Sequence, residues 1–313
     1  MNLSSEKTNS SSLFAIWSAM ISVYIIWGST YLAILFAIET IPPFLMAGVR
    51  FLIAGGILFR IRRCRGDAVS SYSEWRSAAI IGIFLLVGGN GGVVWAEQKV
   101  ASGIAALLVG TAPLWMVLMD GLHPAGRKPN RWAVFGLTLG FMGIIVLIGP
   151  PQILNQGVKV DPLGALVLIL ASLSWAIGSL YSRKAILPSS PTLGTAMEML
   201  TGGTGLLLLG LLTGELRQLN LHALSARSLI AFVYLIVFGS WIGFTAYTWL
   251  LRAAPTPLVS TYAYINPVVA VLLGHLLASE PLTLNTIIAA VIVVVSVALI
   301  TVSQQGSRTT KLK

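Results

Sequence analysis

Apolar residues run along this chain in long blocks, not in one-sided stripes. Between Lys7 and Glu39 lie 31 consecutive uncharged residues, and between Glu280 and Arg308 lie 27. A helix needs about 20 apolar residues to cross a hydrocarbon core roughly 30 Å thick, so each block predicts a membrane span. Ten such windows follow one another, at about 14–36, 42–60, 77–96, 101–122, 132–149, 162–181, 192–213, 228–251, 256–278 and 283–303. The first is longer than the apolar stretch of a cleaved signal peptide, roughly 7–15 residues. Links as short as "ETIPP", "EQKVAS" and "RAAPTP" force consecutive spans to lie antiparallel and adjacent. The expected fold class is an all-α membrane protein of ten transmembrane helices.

The 20 Lys and Arg residues then orient the bundle. With the N-terminus inside, the internal segments hold Lys7, Arg60, Arg62, Arg63, Arg65, Arg76, Arg127, Lys128, Arg131, Arg183, Lys184, Arg252, Arg308, Lys311 and Lys313. The external segments hold only Lys99, Lys159, Arg217 and Arg227. This bias of 15 to 4 predicts a multi-pass protein of the cell (inner) membrane with both termini cytoplasmic. The net charge of +10 therefore reflects topology. The bases form no continuous face, so no nucleic-acid partner is expected.

The two halves echo each other. Trp27 in "IIWGSTY" and Trp175 in "LSWAIGSLY" occupy matching places in spans 1 and 6; Pro113 in "TAPLWMVLMDG" and Pro267 in "INPVVAVLLGH" match in spans 4 and 9. Five spans per half is odd, so the second half enters the membrane inverted, a recurring plan of secondary transporters. The expected organisation is a cytoplasmic tail 1–13, a first repeat 14–150, a second repeat 160–303 and a cytoplasmic tail 304–313, forming a 5+5 inverted-repeat bundle with a central cavity.

Candidate site residues sit where apolar spans carry something else. Arg50 lies eight residues past Pro42, about 12 Å at 1.5 Å per residue, and so near the midplane. Arginine there must face protein or water and be hydrogen-bonded. Its five donors suit either a clamp on neighbouring backbone carbonyls or an anchor for a substrate carboxylate. Trp27, Trp115, Trp175 and Trp241 fall near mid-span, where an indole N–H facing lipid has no partner. With Tyr31, Tyr181, Tyr262, Asn266 and Asn90 nearby, they predict an amphipathic substrate cavity. Asn90 sits in "LLVGGNGGVVW", whose glycines suit close packing or a deformable lining. Pro113 and Pro267 predict bends, as hinges for gating or as static kinks. Gly136, Gly140 and Gly143 share a face of span 5 and predict a close helix contact, within the chain or between copies.

Together "WGSTYLA", "RFLIAG", the "TAP" and "INP" sites and "EPLT" (280–283) resemble the drug/metabolite transporter superfamily, specifically a tandem pair of EamA domains. That resemblance implies a cavity lined by helices 1, 3, 4, 6, 8 and 9, with helices 5 and 10 peripheral, and export of amino acids, toxic analogues or drugs from bacterial cytoplasm. Arg50 matches an arginine many members carry in helix 2. Two positions depart from the pattern: the counterpart of Arg50 is Met199, beside Glu198, and the acid of "EPLT" is replaced by Gly126 in the first half.

Nothing in the sequence points to catalysis. No phosphate-binding loop, metal-ligand cluster or triad is present, so no cofactor, no metal and no enzymatic activity are expected. The single cysteine, Cys64, excludes an intramolecular disulfide. Transport driven by a gradient needs a buried titratable group if protons are coupled; the candidates are Glu198, Asp120 at the inner end of span 4 and Glu97 at the outer end of span 3, the last two read first as caps at the membrane interface. The resulting expectation is a permease for small amphipathic metabolites, acting as monomer or homodimer within the lipid bilayer. A passive facilitator of the same fold is the runner-up, and a polytopic sensor or scaffold ranks behind both.

Overall fold

A computed structural model describes residues 9–68, 70–122, 130–148, 160–254, 259 and 261–309. Gly126 and the outermost tail residues lie outside these. Among the described residues there is no strand, and ten long helices run antiparallel in chain order. They are α1 (Asn9–Ala37), α2 (Pro43–Cys64), α3 (Tyr72–Ala96), α4 (in two pieces, Ser102–Val109 and Ala112–Leu122), α5 (Arg131–Ile148), α6 (Pro162–Ser182), α7 (Pro191–Leu212), α8 (Ala226–Ala253), α9 (Tyr262–Ala278) and α10 (Leu284–Thr309). Seven have the length and hydropathy to cross a membrane outright; the apolar stretches Arg131–Leu147, Tyr262–Ala278 and Leu284–Ile300 are shorter. The lipid-facing exterior is apolar: Val49, Ile53 and Ile57 of α2, each one turn from the next, are exposed, as are Leu163, Leu166 and Leu170 of α6.

Helix contacts reproduce the repeat. Three helices pack on their own counterparts: α2 on α7, α5 on α10 and α4 on α9. The remaining contacts exchange in pairs, with α1 against α8 and α9 and α6 against α3 and α4. Glycine permits the closest of these approaches. A Cβ on Gly48 of α2 would come within 2.7 Å of the Leu207 nitrogen of α7. On α5, Gly136, Gly140 and Gly143 face Ile300, Ser296 and Ile292 of α10, and Ser296 Oγ donates to the Gly136 carbonyl at 2.6 Å. The GxxxG face is thus filled within the chain.

Each of α2 and α7 ends on a left-handed glycine followed by an acid. Gly66 (φ 87°) precedes Asp67, and Gly214 (φ 79°) precedes Glu215. The turn sends each carboxylate back to the start of the partner helix. Glu215 accepts from the Phe44 and Leu45 N–H groups at the start of α2 (3.2 and 2.8 Å), offsetting orphan donors and the helix dipole there. Asp67 binds Arg62 in a two-bonded pair (2.8 and 2.7 Å). Hydrogen bonding from Arg62, aided by Ser190 at the start of α7, holds its carboxyl below the usual carboxylate range.

Candidate functional site

The poorest helix-forming stretch does not break α3. It relaxes Ile83–Asn90 into a π-helix, and Leu235–Ile242 of α8 does the same at the matching place in the second repeat. A π segment shifts the backbone pairing and leaves carbonyls that lipid cannot satisfy. In each case a side chain from the first helix of the other repeat answers. Ser174 Oγ of α6 donates to Phe84 O at 2.7 Å; Trp27 Nε1 of α1 donates to Gly239 O at 3.3 Å.

Around Trp27 the site is aromatic. Phe244, Tyr247 and Tyr262 surround its indole at centroid distances of 5.2, 4.9 and 5.3 Å, two of them edge-on. Tyr247 and Tyr262 meet edge to face at 5.5 Å, and the Trp175 indole and Tyr31 hydroxyl lie close enough to act on the Tyr262 hydroxyl. Four of the expected residues, Trp27, Tyr31, Trp175 and Tyr262, are therefore brought together by α1, α6 and α9. Glu198 is half-buried on α7 and acts electrostatically on Tyr247.

Arg50 enters from the α2 side of the same π segment. It is 2% exposed, and its Nε donates to Ser240 Oγ at 2.8 Å. Its guanidinium carbon lies 4.7 Å from the Phe51 ring centroid. A Cβ on Gly239 would sit 3.1 Å from Nη2, so this glycine admits both the guanidinium and the Trp27 contact. Nη1 is buried with no hydrogen-bond partner among the described residues. No carboxylate of the described chain forms a salt bridge with Arg50. Of the two partners expected, a backbone carbonyl or a substrate carboxylate, neither is the one seen: Arg50 Nε meets a side-chain hydroxyl.

Other expected residues do different work. Trp115 Nε1 donates to Ser172 Oγ at 2.9 Å and its ring meets Phe141 edge-on at 5.4 Å, tying α4 to α6 and α5. Asn266, oriented with its amide nitrogen toward the carbonyls of Tyr24 (3.2 Å) and Tyr262 (3.3 Å), ties α9 to α1. Trp241 is half-buried against the main apolar core. Tyr181 is half-buried near the end of α6, and Asn90 is half-buried with an unpartnered Oδ1.

The prolines differ in effect. The α4 helix breaks between Val109 and Ala112, just ahead of Pro113, which denies an N–H to the Val109 carbonyl. The α9 helix runs unbroken through Pro267, whose ring packs on Gly110 in that break; a Cβ there would lie 2.8 Å from Pro267 Cγ. Glu97, expected as an interfacial cap, is buried at 2% exposure and caps nothing. The two carboxylates that cap a helix of the other repeat, Glu215 and Glu280, gave no such signal in the sequence because their targets lie 170 and 178 residues away.

A ten-helix bundle of inverted repeats with a polar, aromatic-lined centre defines a membrane transport protein, and comparison with known families agrees. The chain belongs to the EamA-like transporter family, whose profile matches residues 13–149 and 162–302. It is 39% identical over 296 residues to the inner membrane transporter YedA of Escherichia coli K12, covering 93% of this chain and 92% of that one. It is 26% identical over 280 residues to the transporter YoaV of Bacillus subtilis, covering 88% and 92%. A crystal structure at 21% identity shares the fold, with a TM-score of 0.63 over 94% of this chain and 99% of the other. The protein is a membrane transporter.

Proposed function

We propose that the protein is a secondary transporter that exports small amphipathic metabolites, amino acids or drug-like compounds among them, with both termini on the cytoplasmic side. The observation that carries this reading is the Trp27 cage placed beside Arg50 on one π segment. An aromatic box takes an apolar body, and the unpartnered Nη1 of a buried guanidinium takes a carboxylate. A buried cation without a counter-ion is costly, and a bound substrate anion offsets that cost only while it is present. Trp27 and Arg50 are shut off from solvent, so the substrate enters by parting α8 from α1 and α2. No nucleotide-binding loop occurs in the sequence, so a gradient drives the cycle. The 15-to-4 distribution of Lys and Arg supports the orientation.

The test is counterflow in proteoliposomes holding the purified protein, with a panel of amino acids, their decarboxylated amines and aromatic drugs. The expected result is saturable exchange of amphipathic carboxylates, reduced in Trp27 and Arg50 variants. Exchange confined to compounds without any apolar body, or flux that never saturates, overturns the reading.

A further inference from the structure

At the end of the bundle opposite the chain termini, the α3–α4 connection buries an acid that has nothing to bind. Glu97 is 2% exposed, and neither of its carboxylate oxygens has a hydrogen-bond partner among the described residues. Ser102 Oγ, in the first turn of α4, is buried and equally without a partner. Facing them is Glu280, from the α9–α10 connection, which accepts from the Ser102 and Gly103 N–H groups at 2.6 and 3.1 Å. Its placement is built into the backbone. Ser279 adopts a left-handed conformation (φ 54°) that reverses the chain after α9. The Glu280 N–H returns to Gly274 O at 3.1 Å, and any Cβ on Gly274 would collide with Glu280 Oε2.

The surrounding charged groups leave Glu97 without a cation. Tyr31 of α1 and Glu280 are the groups that act on it electrostatically. His275 of α9 turns its Nδ1 to the Glu280 carbonyl at 2.9 Å. The Lys99 ammonium sits over the Trp95 ring, 4.9 Å from its centroid. Asp161, at the start of α6, accepts from the Gly164 N–H at 2.6 Å. Glu280 is satisfied as the cap of α4. Glu97 has no such compensation: burial, and then the charge of Glu280, push its carboxyl well above the usual range.

We propose that Glu97, set against Glu280 and Ser102, is a proton-binding site that closes this end of the bundle when occupied and so couples transport to proton movement. The proton comes from water onto a Glu97 carboxylate oxygen and returns to water when it leaves. The neutral acid packs beneath the Glu280-capped start of α4. Ionised, it carries the same charge as Glu280 and needs hydration, which separates the α3–α4 connection from the α9–α10 connection. The site goes beyond the substrate reading above, and its test requires no substrate.

Purified protein in detergent is titrated with acid and base, alongside Glu97→Gln, from about pH 5 to about pH 9. The expected difference is about one proton per chain. Infrared difference spectra should show a protonated-carboxyl C=O band that disappears as pH rises and is absent from Glu97→Gln. In Glu280→Gln, removal of the like charge should move the loss of that band to lower pH, which carries the test should Glu97→Gln fail to fold. A folded Glu97→Gln that binds as many protons as the wild type overturns the proposal. So does sodium chloride, compared with choline chloride, stabilising the wild type at about pH 8 but not Glu97→Gln, since the occupant is then a metal cation.

Discussion

Ile83–Asn90 in α3 and Leu235–Ile242 in α8 carry the same backbone defect at matched places, yet the repeats fill it with different chemistry. In α3 the filling is neutral: Ser174 Oγ donates to Phe84 O at 2.7 Å, a Cβ on Gly88 would clash with Ser174, and one on Gly89 would come within 3.0 Å of Trp175 Cε3. In α8 the filling includes a charge: Trp27 Nε1 donates to Gly239 O and Arg50 Nε to Ser240 Oγ. The repeat matches Arg50 of α2 with Met199 of α7, whose Cβ lies against Gly55 of α2. Arg50 occupies the position that Met199, buried at 1% exposure, fills in the second repeat. One π segment is therefore closed by a neutral hydroxyl and packing while the other offers a buried cation.

The sharpest way to break this comparison is to make the halves alike. Arg50→Met imposes the solution of the second repeat on the first. Replacing a buried ionic group by an apolar one of similar volume is often neutral or stabilising, and Ser240 can satisfy its hydroxyl on its own helix. Thermal stability is therefore expected to hold or rise, while exchange of carboxylate-bearing substrates falls by about a hundredfold or more, in line with the loss of a charge-assisted contact worth about 3 kcal/mol. Loss of stability in parallel with activity would make Arg50 a structural clamp. Arg50→Lys then sharpens the point. It retains the charge without the planar fork, so carboxylate substrates should lose about tenfold and neutral ones much less. A uniform loss across substrates defeats the anion assignment.

A middle-sized effect separates the two tryptophans. Trp27→Phe keeps the ring within its cage but leaves Gly239 O without its donor, at a cost of about 1–3 kcal/mol for a buried orphan. Counterflow is expected to drop about tenfold on that basis. Trp175→Phe keeps a ring against Gly89 at the opposite π segment and loses only the indole N–H beside the Tyr262 hydroxyl, so the change should be a few-fold at most. Equal losses in the two variants, measured in the same vesicles, would mean that the halves are functionally equivalent.

The architecture was readable because it rests on properties the sequence carries locally. Block length gives spans, charge bias gives alternation, and the Trp and Pro landmarks give the repeat. The centre was partly readable for a similar reason, since Trp27, Tyr31, Trp175 and Tyr262 stand out as polar-tipped rings in apolar runs and the structure gathers them. Arg50 was visible, but its partner was not: Ser240 is 190 residues away and looks like any small residue of a span. Trp115 and Asn266 have the same signature as the cage residues yet join helices, because a composition at mid-depth does not reveal which neighbour the side chain meets. Glu97 looked like an interfacial cap because it directly follows an apolar run. Its burial comes from the folded bundle, where Tyr31 of α1 and Glu280 of the α9–α10 connection act on it.

The smallest expected effect tests the two hydroxyls that serve the π segments. Ser174 Oγ answers a neutral carbonyl at 2.7 Å, whereas Ser240 Oγ answers a guanidinium at 2.8 Å. A net neutral hydrogen bond contributes about 1 kcal/mol and one to a charged group about 1.5–3 kcal/mol. Ser174→Ala should therefore lower stability by about 1 kcal/mol through an orphaned Phe84 O, with exchange almost unchanged. Ser240→Ala frees Arg50 from the direction that Nε imposes, so its signature should lie in affinity: a few-fold rise in the half-saturating concentration for carboxylates at unchanged maximal rate, the pattern of weakened uniform binding. The pair is read by thermal unfolding together with saturation curves from the same preparations. A Ser174→Ala variant that alters affinity while Ser240→Ala alters only stability would reverse the roles assigned to α3 and α8, and with them the identity of the half that binds substrate.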